Sequence, residues 1–142
     1  MQEAPAPTGP HALLRNHELR RTPPRLRVLA LLFESERHLS ITEVCEQLST
    51  SGRAVHPTTV YRTLETFTAV GLAHAVHGPG ATRYGITGDP HHHTVCQRCG
   101  RVEGLASEHL TEAAARIAAL TGLRPDSSGA LLVYGRCPGC SA

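Results

Sequence analysis

Two Cys-x-x-Cys pairs, Cys96–Cys99 and Cys137–Cys140, constrain this 142-residue chain more than any other feature. Thirty-seven residues lie between Cys99 and Cys137. Brought together, the four thiolates form a tetrahedral site of the kind zinc accepts at about 2.3 Å per sulfur. In a reducing compartment the pattern favours a metal over disulfides, with an oxidised pair as the alternative. The run His91-His92-His93 just upstream is a different signal. Neutral imidazoles supply nitrogen ligands and release them on protonation, at about pH 6 to 7. The thiolates read as a staple and the imidazoles as a sensor.

Such a staple answers a need set by composition. Aromatic residues make up 4% of the chain and Trp is absent, so Leu, Val and Ala must build a thin core that a metal or a partner subunit can supplement. The chain has no apolar run long enough to span a membrane, and its first ten residues (MQEAPAPTGP) lack the charged start and apolar centre of a secretory signal. A cytoplasmic protein without a membrane partner is expected. The net charge of +2 argues for nothing, but every basic residue is Arg, and Arg15, Arg20, Arg21, Arg25 and Arg27 against Glu18 carry a local +4. Guanidinium groups bind phosphate or guanine in bidentate fashion, as Lys cannot. The alternative is a solvated arginine-rich helix face.

In chain order, residues 1–12 read as a disordered Pro-rich arm. A short helical pattern follows over Leu13 to Leu19, and Thr22-Pro23-Pro24 opens a helix running to about Phe33, with His38 in the turn after it. Ser40-Ile41-Thr42-Glu43 fits a capping box and starts a second helix, on which Cys45 reads as a small buried hydrophobe. His56-Pro57 starts a third, with Val60, Leu64, Phe67 and Val70 on its apolar face and Gly71 closing it. This helix carries Thr58, Thr59, Tyr61 and Arg62 at its exposed N-terminal end, the requirement for a helix-turn-helix reader. Leu72 to His77 and Thr82 to Ile86 predict a hairpin, which after a recognition helix is a wing. Residues 87–90 read as a hinge. Beyond it lie strand fragments around the first Cys pair, a helix over Glu108 to Leu120, and the apolar strand Ala130 to Tyr134, of the sort buried on both faces or paired across a subunit boundary.

Arg21-Thr22-Pro23-Pro24-Arg25, Thr58-Thr59-Val60-Tyr61-Arg62-Thr63-Leu64, the histidine run leading into Cys96-Gln97-Arg98-Cys99-Gly100, and Tyr134-Gly135-Arg136-Cys137-Pro138-Gly139-Cys140 together resemble the ferric-uptake-regulator (Fur) family of metal-dependent repressors. The likeness extends from about Leu13 onward. It implies an α/β (α+β) chain with a winged helix-turn-helix domain over 13–86 and a small α/β dimerisation domain over 91–142, with structural zinc on Cys96, Cys99, Cys137 and Cys140. It further implies a homodimer whose second, regulatory metal sets the spacing of its two readers on an inverted-repeat double-stranded operator. Neither an enzyme nor a small-molecule substrate is expected.

By the same resemblance, His38, His91 and His93 are regulatory ligands, and the H-x-H spacing puts two of them on one strand face. The family places Glu, Asp, Cys or His after Tyr84, where this chain has Gly85. His74 falls where zinc-sensing members carry an aspartate, giving a set of His38, His74, His91 and His93, with His77 and Glu103 in reserve. Such a set suits zinc, nickel or copper, and ligand type alone does not separate them. Zinc is the first expectation, then nickel, then iron or peroxide sensing. Pro90 and Ser128 or Gly129 replace histidines of a further family site, so no complete additional site is expected, and His92 reads as a spectator. Arg20 or Arg21 matches a basic residue that enters an A·T-rich minor groove, while Thr58, Thr59, Tyr61 and Arg62 face the major groove. Two competing readings are a zinc hydrolase built on His91 and His93, which lacks an HExxH helix, and a structural zinc module that binds a partner protein.

Overall fold

Proline begins the helices of the N-terminal half, since the first turn has no use for its missing amide proton. Pro10, Pro23 and Pro57 open α1 (Pro10–Asn16), α2 (Pro23–Glu34) and α4 (Pro57–Ala69). Helix α3 (Ile41–Thr50) starts with the expected capping box: the Ser40 hydroxyl accepts from the Glu43 amide at 3.2 Å, and the Glu43 carboxylate accepts from the Ser40 amide at 2.9 Å. Helix α4 is capped by a side chain that sequence rules do not favour, with His56 Nδ1 accepting from the Thr58 amide at 3.2 Å. At its far end Gly71, with φ 79°, turns the chain so that the Leu72 amide reaches the Phe67 carbonyl at 2.9 Å.

The computed structural model describes residues 9–35, 37–87, 91–124 and 131–141. They fall into two compact units: Met1–Val76 with Thr82–Ile86, and His77–Ala81 with Thr87–Ala142. The first packs the four helices with a sheet of β1 (Leu39–Ser40), β2 (Ala73–Val76) and β3 (Arg83–Ile86) in the antiparallel order β1-β3-β2. Its core joins Leu14, Val28, Leu29, Leu32, Val44, Leu48, Val60, Leu64, Phe67 and Leu72 with Leu39, Ala73 and Tyr84 from the sheet. Strand β1 was not legible in the sequence, because two residues carry no alternation to read. The expected arm over 1–12 is corrected at its end: α1 begins at Pro10 and buries Ala12 and Leu14. Cys45 is half-buried and packs against this core, and burial pushes its thiol up.

Glu43 also ties the wing to α3. The Arg83 guanidinium donates to both of its carboxylate oxygens, at 3.0 and 2.9 Å. Burial pushes the Glu43 carboxyl up, but the Ser40 amide and the Arg83 charge more than offset it and hold it below the usual carboxylate value. A depressed folded value contributes stability that is complete above the ordinary 4.5 and is lost as pH falls through the folded value. Replacing Glu43 by alanine is expected to cost about 1–3 kcal/mol near neutral pH, with the deficit shrinking in acid; urea unfolding across pH measures both.

The second unit is a sheet of β4 (His91–Cys96), β5 (Val102–Ala106) and β6 (Leu132–Gly135) in the order β5-β4-β6, antiparallel between β4 and β5 and parallel between β4 and β6. A 3-10 turn (Ser107–Leu110) leads into α5 (Thr111–Thr121), and a helical turn (Pro138–Ser141) follows β6. The loop His77–Ala81 belongs to this unit, where Tyr134 donates to the His77 carbonyl at 3.5 Å. Of the two readings of this strand, burial on both faces within the chain is corrected, since all four residues are exposed, Val133 at 49% and Tyr134 at 47%, and pairing across a subunit boundary stays open. Its position at the sheet edge leaves one side of the strand without a partner strand among the described residues. Helix α5 buries no side chain completely, and Leu120 and Leu123 are exposed. Residues 88–90 of the hinge, Ser128, Gly129 and most of the N-terminal arm lie outside the described residues.

Candidate functional site

The parallel pairing of β4 and β6 is what joins the two Cys pairs. It sets Cys96 beside Gly135, and the Gln97 amide reaches the Gly135 carbonyl at 2.8 Å. A tight turn closed by the Gly100 amide on the Cys96 carbonyl, with Gly100 at φ 76°, brings Cys99 back toward Cys96. The turn after β6 does the same for Cys137 and Cys140, whose amide bonds the Cys137 carbonyl at 2.9 Å. All four Sγ atoms lie within 4.8 Å of one another. Sulfurs on a tetrahedron at zinc–thiolate distance stand about 3.8 Å apart. The Cys99 and Cys137 sulfurs are 3.8 Å apart. No disulfide joins the four cysteines in this structure.

The backbone prepares this cluster for a cation. Amides of Cys99 and Cys137 donate to the Cys96 sulfur, the latter at 3.3 Å, and hold its thiol down at about 5. Cys140 is pushed up to about 12, chiefly by its contact with the Cys137 sulfur. One sulfur is therefore a ready thiolate, and the donor set is that of a structural zinc site.

Two of the four regulatory candidates meet in the first unit. His38, just ahead of β1, and His74, on β2, bring their Nε2 atoms to 2.6 Å, with rings edge to face and centroids 4.8 Å apart. Ring nitrogens this close share a hydrogen bond, and opened to the roughly 3.3 Å that two nitrogens on one tetrahedral zinc require, the same pair can hold a cation. In the second unit, His93 is buried on β4 opposite Gly104 and Leu132. The side chain of His91, the other candidate on this strand, lies outside the described residues. His92, expected to face away from the sensing pair, is buried, and its Nδ1 accepts from the Leu131 amide at 2.9 Å, clasping the chain just ahead of β6. Of the reserves, Glu103 is exposed and paired with Arg101 at 2.7 Å. The Tyr134 bond to His77 uses that residue's backbone carbonyl.

The reader residues sit on the solvent side of α4. Thr58, Tyr61 and Arg62 are exposed and Thr59 is half-buried, while Val60, Leu64 and Phe67 are buried beneath them. Arg62, Thr59 and Thr66 border a hollow of about 320 Å³ whose other wall carries Arg20, Thr22 and Arg25 from the start of α2. Three arginines thus line one concavity, and the Arg25 guanidinium donates to the Arg20 carbonyl at 3.3 Å. Arg21 is exposed but does not border it. Arg25 is the member that the sequence reading placed in a motif and in the local charge cluster without naming it as a DNA contact.

The model of the ferric uptake regulator family matches residues 16–129. The ferric uptake regulation protein of Legionella pneumophila is 37% identical over 130 residues, covering 89% of this chain and 95% of the relative. Among solved structures, the ferric uptake regulator of Pseudomonas aeruginosa with manganese superposes with a TM-score of 0.74 at 28% identity, covering 92% of this chain and 99% of that one. A zinc-bound manganese uptake regulator gives 0.72 at 26% identity, with the same coverage. These relatives bear the names of regulators rather than of hydrolases. With the family model spanning most of its length and a relative matched nearly end to end, the chain belongs to the ferric uptake regulator family, whose members are metal-responsive, DNA-binding transcriptional regulators and not enzymes.

Proposed function

We propose that this regulator is a zinc-responsive repressor of metal-homeostasis genes, acting in the cytoplasm as a homodimer on an inverted-repeat operator. Cys96, Cys99, Cys137 and Cys140 hold one structural zinc. His38 and His74 from the DNA-binding unit, with His91 and His93 from the dimerisation unit, hold the regulatory ion. Binding that ion favours the arrangement in which both units contribute ligands, and so shifts the population toward the operator-binding state. The observation that carries the choice of metal is the His38–His74 nitrogen pair, 2.6 Å apart. Imidazole donors suit zinc or nickel better than ions that prefer hard oxygen ligands.

The dimer is supported by apolar surface that a single chain leaves in water: Leu120, Leu123, Val133 and Tyr134, with β6 at a sheet edge. Arg20, Arg25 and Arg62 supply the charge for DNA, and Thr58, Thr59 and Tyr61 the base-facing groups. Arg21 flanks them.

The test is operator binding titrated with zinc, nickel, ferrous iron and manganese under reducing conditions, on an operator selected from random inverted repeats. Zinc at the lowest concentration should raise affinity about 5- to 150-fold, the range of ordinary allosteric coupling, and His91→Ala or His93→Ala should remove that response. A response to iron or manganese but not to zinc would overturn the metal assignment. A response that survives both histidine changes would overturn the ligand set.

A further inference from the structure

Gly85 lies between the two histidines of the first unit. Strand β3 is central in the order β1-β3-β2, and the register sets His74 directly opposite Gly85 on one side. On the other side Leu39 pairs with Tyr84, so His38 falls opposite Gly85 there too. Neighbouring strands stand about 4.8 Å apart, so two residues flanking a central strand are separated by roughly twice that distance. Their rings can meet only by reaching across the central residue, and here they meet over a residue with no side chain. A Cβ built on Gly85 would lie 2.7 Å from both Cδ2 and Nε2 of His38.

Backbone geometry does not explain this glycine. Its φ lies outside the left-handed region that several other glycines of the chain occupy, so any residue could adopt its conformation. Glycine inside a strand weakens the strand and often marks a close approach. The approaching group here is the His38 imidazole.

Resting on the reading of His38 and His74 as sensing ligands, we infer that Gly85 is the specificity-determining residue of that site: its missing side chain lets two imidazoles form a two-nitrogen clasp for a borderline divalent cation such as zinc. Any side chain at 85 stands where the His38 ring must lie. A carboxylate there would replace a nitrogen donor with a hard oxygen and move the preference toward manganese or iron.

The clash is with the free end of a rotatable ring, so Gly85→Ala should fold and lose only the ring position. The experiment uses the full chain with its cysteine site loaded, and measures second-site affinity for zinc and cobalt(II) by competition with a chromophoric chelator. Gly85→Ala should weaken zinc about 10- to 100-fold and change the cobalt d–d spectrum, while the thiolate charge-transfer band stays as in the unchanged chain. Gly85→Asp should lower the zinc-to-manganese preference. In a His38→Ala background, Gly85→Ala should have no further effect, because the ring it displaces is gone. If His38→Ala weakens zinc but Gly85→Ala does not, or if the two effects simply add, the role of Gly85 is refuted and the sensing site stands. If His38→Ala itself leaves second-site affinity unchanged, both fall.

Discussion

Cys96→Ser is expected to release the structural zinc and melt the C-terminal unit, the largest effect of any single substitution considered. Among the described residues of that unit, only Val95, Cys96 and Val102 are buried apolar side chains, while the first unit joins more than a dozen residues in one cluster. Helix α5 and strand β6 bury nothing completely, so little apolar burial within the chain offsets the cost of ordering them. A metal on the proposed cysteine site would fill the gap: structural zinc in small cysteine sites contributes about 10–16 kcal/mol at neutral pH. Cys96 is the buried ligand, the sulfur that receives backbone amides, and the end of the central strand, so its loss removes more than one donor in four. Zinc content per chain, circular dichroism and protease sensitivity over residues 91–142 report the result. A Cys96→Ser chain that keeps its zinc and melts with the unchanged protein would show that the sulfurs do not staple the unit.

Arg62→Ala is expected to weaken operator binding by about 1–3 kcal/mol, on the order of 5- to 150-fold in Kd, without altering zinc content or the dimer. The reason is the shape of the hollow between α2 and α4. Arg20, Arg25 and Arg62 line one concavity with Thr59 and Thr66, so a phosphate seated there meets several donors at once. Each phosphate contact released should also flatten the dependence of log Kd on log salt by about 0.9 per contact, an effect that a loss of folding would not mimic. Arg25→Ala should act in the same direction, although the sequence reading placed Arg25 in a motif without naming it as a DNA contact. Unchanged affinity and salt slope in the Arg62→Ala chain would take the hollow out of the DNA interface.

How far the sequence could be read differs between particular residues. The Ser40–Glu43 capping box, the prolines that open α2 and α4, and the glycine that closes α4 were legible because each rule is local, satisfied within a turn of helix. Pro10 misled for the same reason: with no apolar periodicity ahead of it, a helix-starting proline looks like a breaker, and α1 begins there. Strand β1 was invisible because its two residues matter only through pairing with β3. His92 looked like the odd histidine of three until the arrival of Leu131 gave its Nδ1 a donor.

The sequence by itself determined the donor inventory: four thiolates at metal-binding spacing, a run of imidazoles, and an arginine cluster ahead of a helix opened by Pro57. Ligand chemistry and helix capping are properties of residue types and short spacings, so they survive without coordinates. Tertiary structure alone decided which donors meet. The parallel β4–β6 register joins the Cys pairs, and the central place of β3 turns Gly85 from a missing ligand into the space over which His38 and His74 approach. Such meetings are set by strand order and register, which depend on residues far apart in the chain that no local pattern records.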